Sequence, residues 1–273
     1  MIFLKPIKLI GLICLICFTF IYTEKTIDIS IEQDEIMMEL NNKQSKYNIE
    51  PKNAIIKNNT IIPGHVGKHI DINSSYKQMK KLGYFEESLI IYKDTYPEIS
   101  IHNNYNKYII QGNTLNKNIA LIYIINNNTL DDVINIIKTK NIKINFFIDS
   151  NTLNNNINII DKLKNYEIYN YGNYGKYTKE NIIITNNIIN NKSNNNSIYC
   201  LFLKEDTSSI NTCAESKMLS IMPSINGNYN QIKNNLKNGS IILINNTKEL
   251  SNIIEYIKSK GYIIDTLSNI IKE

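Results

Sequence analysis

The stretch Ile119-Ala120-Leu121-Ile122-Tyr123-Ile124-Ile125-Asn126 decides how the rest of the chain is read. It is an unbroken apolar run that ends in asparagines. That pattern belongs to a parallel strand covered on both faces, not to an edge strand with one wet face. Just beyond it, Thr129-Leu130-Asp131-Asp132 places a capping hydroxyl ahead of a carboxylate three residues on, which predicts a helix over about 130–140. A second apolar run, Ile144–Ile148, predicts the next strand. The alternation then continues: a helix over Leu153–Leu163, a strand over Tyr166–Tyr169, a helix over Glu180–Ile189, and strands over Ile198–Leu203 and Met218–Met222. A strand over Ile241–Ile244, a helix over Lys248–Lys260 stopped by Gly261, and a strand over Tyr262–Asp265 end the series. Strands and helices that alternate in this way predict an α/β protein whose parallel sheet curls into a distorted barrel.

Upstream the pattern is different. Residues 7–22, from Ile7 to Tyr22, are apolar, with Lys5 and Lys8 at the amino side and Glu24 after them. The run is slightly shorter than the roughly 20 residues that usually span a bilayer. Bulky Phe20, Ile21 and Tyr22 stand where a signal-peptide cleavage site needs small residues. Neither Cys14 nor Cys17 follows a small residue, as a lipoprotein signal requires. Residues 1–23 are therefore expected to be an uncleaved signal anchor, a single transmembrane helix with the remainder of the chain extracytoplasmic. Residues 24–58 read as a stalk or linker with a rough helix over Ile31–Lys46. Residues 59–117 read as a small appended α+β region, with a helix from Ser74 to Gly83 and strands at Leu89–Tyr92 and Lys107–Ile110. Residues 118–273 form the main domain.

Composition narrows the chemistry. All 30 basic residues are lysines, tryptophan is absent and tyrosine occurs 18 times. Without arginine there is no bidentate clamp for phosphate or carboxylate. The net charge of +5 is spread along the chain. No basic cluster with interleaved aromatics stands out, so nucleic acid is not an expected partner. His65 and His69, with Asp71 nearby, have a metal-compatible spacing, but Pro63 and Gly67 place them in a loop, where surface histidines are the plainer reading. Cys200 and Cys213 either form a disulfide in an oxidising compartment or are two buried thiols.

Three motifs carry a resemblance to the polysaccharide deacetylases of the NodB-homology family, over 118–273. That family has Val-Ala-Leu-Thr-Phe-Asp-Asp-Gly where this chain has residues 119–126. It has Glu-Ile-Gly-Asn-His-Thr-x-Ser-His where this chain has Glu167-Ile168-Tyr169-Asn170-Tyr171-Gly172-Asn173-Tyr174-Gly175. It has Gly-Ser-Ile-Ile-Leu-Leu-His-Asp where this chain has Gly239-Ser240-Ile241-Ile242-Leu243-Ile244-Asn245-Asn246. The resemblance implies a distorted (β/α) barrel of the glycoside hydrolase/deacetylase type. It also implies an activity, hydrolysis of an N-acetyl amide. A divalent ion on one Asp and two His activates water and polarises the carbonyl, with a second Asp as base and a late His as acid.

Every one of those groups is replaced. Ile124 and Ile125 stand for the aspartates, Tyr171 and Gly175 for the metal-binding histidines, and Asn245 for the catalytic histidine. The family's Arg-x-Pro-Tyr is also missing; the comparable segment is Ile198-Tyr199-Cys200-Leu201-Phe202. No catalytic residue and no metal ligand are therefore expected, and the family's divalent metal is expected to be absent. Asp149, at the end of the second strand, reads as a loop cap or as a surviving polar contact of the cleft. Tyr169, Tyr171, Tyr174 and Tyr177 either line a carbohydrate groove or plug it. The expected function is a membrane-anchored, extracytoplasmic, catalytically degenerate deacetylase-like module that is structural or binds cell-envelope glycan. The alternative is an active hydrolase of carbon–nitrogen bonds in N-acetylated glycans that uses other residues.

Overall fold

A computed structural model describes the backbone of residues 4–273, and side chains from 12 onward except residue 27. Its strands, in chain order, are β1 (Ile55–Lys57), β2 (Thr60–Ile62), β3 (Gly67–Ile70), β4 (Tyr92–Thr95), β5 (Tyr108–Ile109), β6 (Asn118–Ile124) and β7 (Asn145–Ile148). They continue with β8 (Glu167–Asn170), β9 (Tyr199–Leu201), β10 (Leu219–Ile221), β11 (Ile225–Gly227), β12 (Ile241–Ile244) and β13 (Ile263–Asp265). The chain divides into two compact units, Met1–Glu50 with Gly67–Thr95, and Pro51–Val66 with Tyr96–Glu273.

The larger unit is a curled sheet in the order β1-β2-β5-β10-β9-β8-β7-β6-β12-β11, with β13 also on β6. Only the β1–β2 pair is antiparallel; all other pairs of this sheet are parallel. The two runs predicted to be parallel neighbours pair as expected, from Ile122 opposite Asn145 to Ile124 opposite Phe147. An isolated bridge between Gln111 and Ser240 joins the chain after β5 to the chain before β12 and draws the curl round.

The pleat explains why β6 is apolar at every position from Ile119 onward. Alternate residues face opposite sides of a strand. Ile119, Leu121, Tyr123 and Ile125 point into the layer packed by Val133 and Ile137 of helix Leu130–Thr139 and by Ile253 and Ile257 of helix Leu250–Ser259. Ala120 and Ile122 point to the inside of the curl, where they meet Phe147, Tyr169, Leu201, Ile221 and Leu243. Buried Asn145 is the polar exception inside. Its amide donates to the Leu121 carbonyl at 2.9 Å and its oxygen accepts from Leu267 N at 2.7 Å, so no polar atom is left over.

Several boundaries differ from the sequence reading. Residues 59–117 are not one appended region: β2 and β5 are strands of the main sheet, while Gly67–Thr95 belongs to the other unit. The helix predicted over Leu153–Leu163 is two shorter pieces, helix Ser150–Asn155 and a 3-10 turn over Ile157–Leu163. Thr129 caps nothing with its side chain, because its hydroxyl pairs with Tyr123 Oη at 2.7 Å.

The smaller unit holds helices Leu4–Glu32, Glu35–Tyr47 and Ile72–Leu82 and the antiparallel pair β3–β4. Its core is small: Ile36, Leu40, Ile70 and Met79. The expected stalk is thus helical and partly packed only as far as Tyr47; its end, with β1, belongs to the main sheet and the larger unit. The expected anchor occupies the first helix, but its beginning, up to residue 11, lies outside the described side chains. Among the described residues no helix is long and apolar enough to cross a membrane.

Candidate functional site

The candidate site is a cleft of about 680 Å³ at the carboxyl ends of the central strands, the end where barrels of parallel strands build their sites. Backbone hydrogen bonds fix the strand ends around it. Ile125 N donates to Phe147 O and Tyr171 N donates to Ile148 O, each at 2.8 Å. Ile124 and Ile125 follow from β6, Asp149 from β7, Tyr171 from β8 and Asn245 from β12, and all five line the cleft. Ile125 is 4% exposed and joins the helix-side core, whereas Ile124 is half-buried and faces inward.

Gly175 does not itself line the cleft, but it sets the shape of one wall. It has φ +80°, and a β-carbon there would lie 3.3 Å from the Tyr171 ring. The loop that carries it is a tight turn in which Asn173 and Lys176 exchange backbone hydrogen bonds and Gly172 has φ +61°. Tyr174, also left-handed at φ 50°, stands 68% exposed at the tip and lines the cleft. Tyr177 secures the base of the turn: its hydroxyl accepts from Leu201 N at 2.7 Å and donates to the Asn170 carbonyl at 3.0 Å. Lys176 pairs with Asp206, which caps helix Thr207–Glu215. Cys213 of that helix is disulfide-bonded to Cys200 of β9, with the Cα atoms 6.5 Å apart.

Among the described residues, Asp149 is the only carboxylate on the cleft wall. Its oxygens accept from Asn151 N, Thr152 N and Thr152 Oγ1, so the capping reading describes it. Burial, and after it the charge of Asp149, pushes the Tyr171 phenol above its ordinary range, which keeps it neutral. Asn245 is exposed, and its amide donates to Asn226 Oδ1 at 2.6 Å. Tyr169 is not at the site. It lies one pleat down inside the sheet, 2% exposed, with its hydroxyl on Glu167 Oε2 at 2.7 Å. Asn126–Asn128 and Thr247 are also part of the wall; Asn126 ends the first motif, whereas no motif reached Asn127, Asn128 or Thr247.

A divalent metal does not fit this set. Isoleucine has no lone pair, glycine no side chain, and Tyr171 is held neutral, while zinc-type sites need several deprotonated N, O or S donors. Among the described residues no group of three His, Cys, Asp or Glu could hold a metal. His65 and His69 fall in different units. His69 Nε2 lies 3.1 Å from Glu50 Oε1 without hydrogen-bond alignment, and His102 is exposed in a 3-10 turn.

The fold is that of the family 4 carbohydrate esterases (CE4). BA3943 of Bacillus anthracis, a CE4 family pseudoenzyme, superposes with TM-score 0.64 at 21% identity, over 88% of this chain and 96% of its own. A mutant of it is described as having restored enzymatic activity. PdaA of Bacillus subtilis, a family 4 carbohydrate esterase, superposes with TM-score 0.51 at 15% identity, over 81% of this chain and 97% of its own. In sequence, the uncharacterized protein YlxY of Bacillus subtilis (strain 168) is 33% identical over 89 residues, 32% of this chain. The match spans 28% of the length of that relative. No family model matches the chain. These neighbours agree with the resemblance to a divergent deacetylase of the NodB type.

Proposed function

We propose that the chain is a catalytically silent polysaccharide deacetylase-like protein whose cleft binds an uncharged glycan of the cell envelope without hydrolysing it. One observation carries the reading. The cleft persists at about 680 Å³, while Ile124, Ile125, Tyr171, Gly175 and Asn245 stand where the resembled family places its ligands, base and acid. Amides, hydroxyls and three tyrosines on an isoleucine and leucine floor suit a sugar, which has hydroxyl edges and an apolar C–H face. A neighbour described as a pseudoenzyme supports the view that this fold outlasts its chemistry. An active hydrolase with other residues is the weaker reading, because the one carboxylate of the wall is committed to capping.

The same proposal places the domain outside a membrane, held by the amino-terminal helix. From Leu12 to Tyr22 the large apolar side chains of that helix are exposed. The hydroxyls of Thr19 and Thr23 return to the carbonyls of Ile16 and Thr19, so they need no water. The Cys200–Cys213 bond suits an oxidising compartment.

The test uses the full-length chain in detergent with N-acetyl-chito-oligosaccharides. Binding without acetate release, and no stoichiometric divalent metal, is the expected result. Acetate release by the metal-loaded chain sinks the reading of a silent enzyme. Alkaline extraction of the chain from membranes sinks the anchor.

A further inference from the structure

A second cavity of about 320 Å³ lies on the other side of the turn that carries Tyr174. Asn173 and Lys176 of the turn line this cavity, while Tyr171 and Tyr174 line the cleft, so one tight turn separates the two. The Asn151 amide donates to Asn173 Oδ1 at 3.0 Å and braces the turn from helix Ser150–Asn155. The second cavity repeats the chemistry of the first. Ser150, Asn154 and Thr178 offer neutral hydrogen-bonding groups, Glu180 adds one carboxylate as Asp149 does in the cleft, and Ile184, 46% exposed, gives an apolar floor. Its one cation, Lys176, is held by Asp206.

Two hollows of like chemistry with an exposed aromatic between them describe a path longer than one sugar. The Tyr174 backbone reinforces this. A tyrosine rarely adopts left-handed φ, and such residues persist where the surrounding structure enforces them. Here the turn fixed by Asn173, Lys176 and the flanking glycines holds the ring up at the crest. We infer, resting on the glycan reading above, that the ligand is an oligosaccharide that runs from the cleft over the Tyr174 ring into the Asn154–Ile184 hollow. The Asn154–Ile184 hollow then acts as an accessory subsite for the chain beyond the cleft.

The experiment is a calorimetric titration of the full-length chain with N-acetyl-chito-oligosaccharides of increasing length. It is repeated on N154A and I184S; both residues are exposed and neither has a side-chain role in the fold. Affinity is expected to rise about tenfold between the dimer and the longest oligomers. The variants are expected to lose that gain and keep the wild-type affinity for the dimer, and Tyr174→Ala is expected to weaken every length. Affinity independent of length overturns the accessory subsite and leaves the glycan reading standing. So does a length-dependent gain that survives both variants. Absence of binding at every length overturns both.

Discussion

The inside of the sheet and its carboxyl mouth are built from the same strands but obey different demands. Inside, Ala120 and Ile122 of β6, Phe147 of β7 and Leu243 of β12 are almost wholly buried and need only be apolar and of suitable size. At the mouth, two residues further along, Ile124 and Asn245 sit where particular atoms would be needed to hold an ion or move a proton. Burial is satisfied by many side chains, whereas ligation and proton transfer are satisfied by few. The strands can thus keep their shape in the first region whatever side chains stand in the second.

The largest effect expected from this contrast lies inside. Phe147→Ala removes a fully buried ring and should cost about 3–5 kcal/mol, read from the shift of a denaturant midpoint. A loss under about 1 kcal/mol would mean the interior is loosely packed and the contrast is false. Ile125→Asp probes the border. It places a carboxylate at a position 4% exposed with no cation to meet it, and should cost roughly 3 kcal/mol or more at neutral pH while conferring no metal binding. A stable, metal-binding I125D protein would show that the mouth accepts a metal after all.

Tyr177 links the two regions, and its removal should have an intermediate effect. Tyr177→Phe strips the acceptor from Leu201 N and should cost about 1–3 kcal/mol. The pH dependence has a definite sign. Complete burial holds the Tyr177 phenol well above its ordinary value of 10.0. The native state therefore keeps a proton that the unfolded chain loses above about pH 10. Stability falls as pH rises past that point, and this group contributes no slope below it. Y177F should flatten that alkaline limb; an unchanged limb would assign it to other tyrosines. The smallest effect is at the rim. Asn245→His changes an exposed side chain, should leave stability within about 0.5 kcal/mol, and should yield no acetate release, because the other four positions remain empty.

The sequence made most of the main sheet legible. The run 119–125 has apolar residues on both pleats because both faces are covered, and that pattern is local. Tyr166–Tyr169 and Ile241–Ile244 were readable for the same reason. The membership of β2 and β5 in this sheet was not readable. A strand of two or three residues carries no periodicity, and its partners, β10 for Tyr108 and Ile109, lie more than a hundred residues away. At the site, the motif positions predicted which strand ends converge, since Ile124, Ile125, Tyr171 and Asn245 meet on one cleft. They did not separate Tyr169 from Tyr171. Two residues apart, both tyrosines point inward, but one ends inside the core and the other at the mouth, and only the depth along β8 distinguishes them. Nor did they show that the cleft remains open, because a volume left between side chains depends on how the turn at 172–176 is folded.

That turn also bears on which substitutions the site can take. Any residue with a side chain at 175 must adopt φ +80° and place its β-carbon 3.3 Å from the Tyr171 ring. A histidine placed at 175 would first meet strain and crowding, and would find at 171 a phenol instead of a second ligand. A histidine placed at 171 would find no partner at 175. Each substitution is unfavourable or useless until the other is in place. Changes made one at a time therefore meet a ratchet, and the ligand pair of the resembled family is reached only by changes made together.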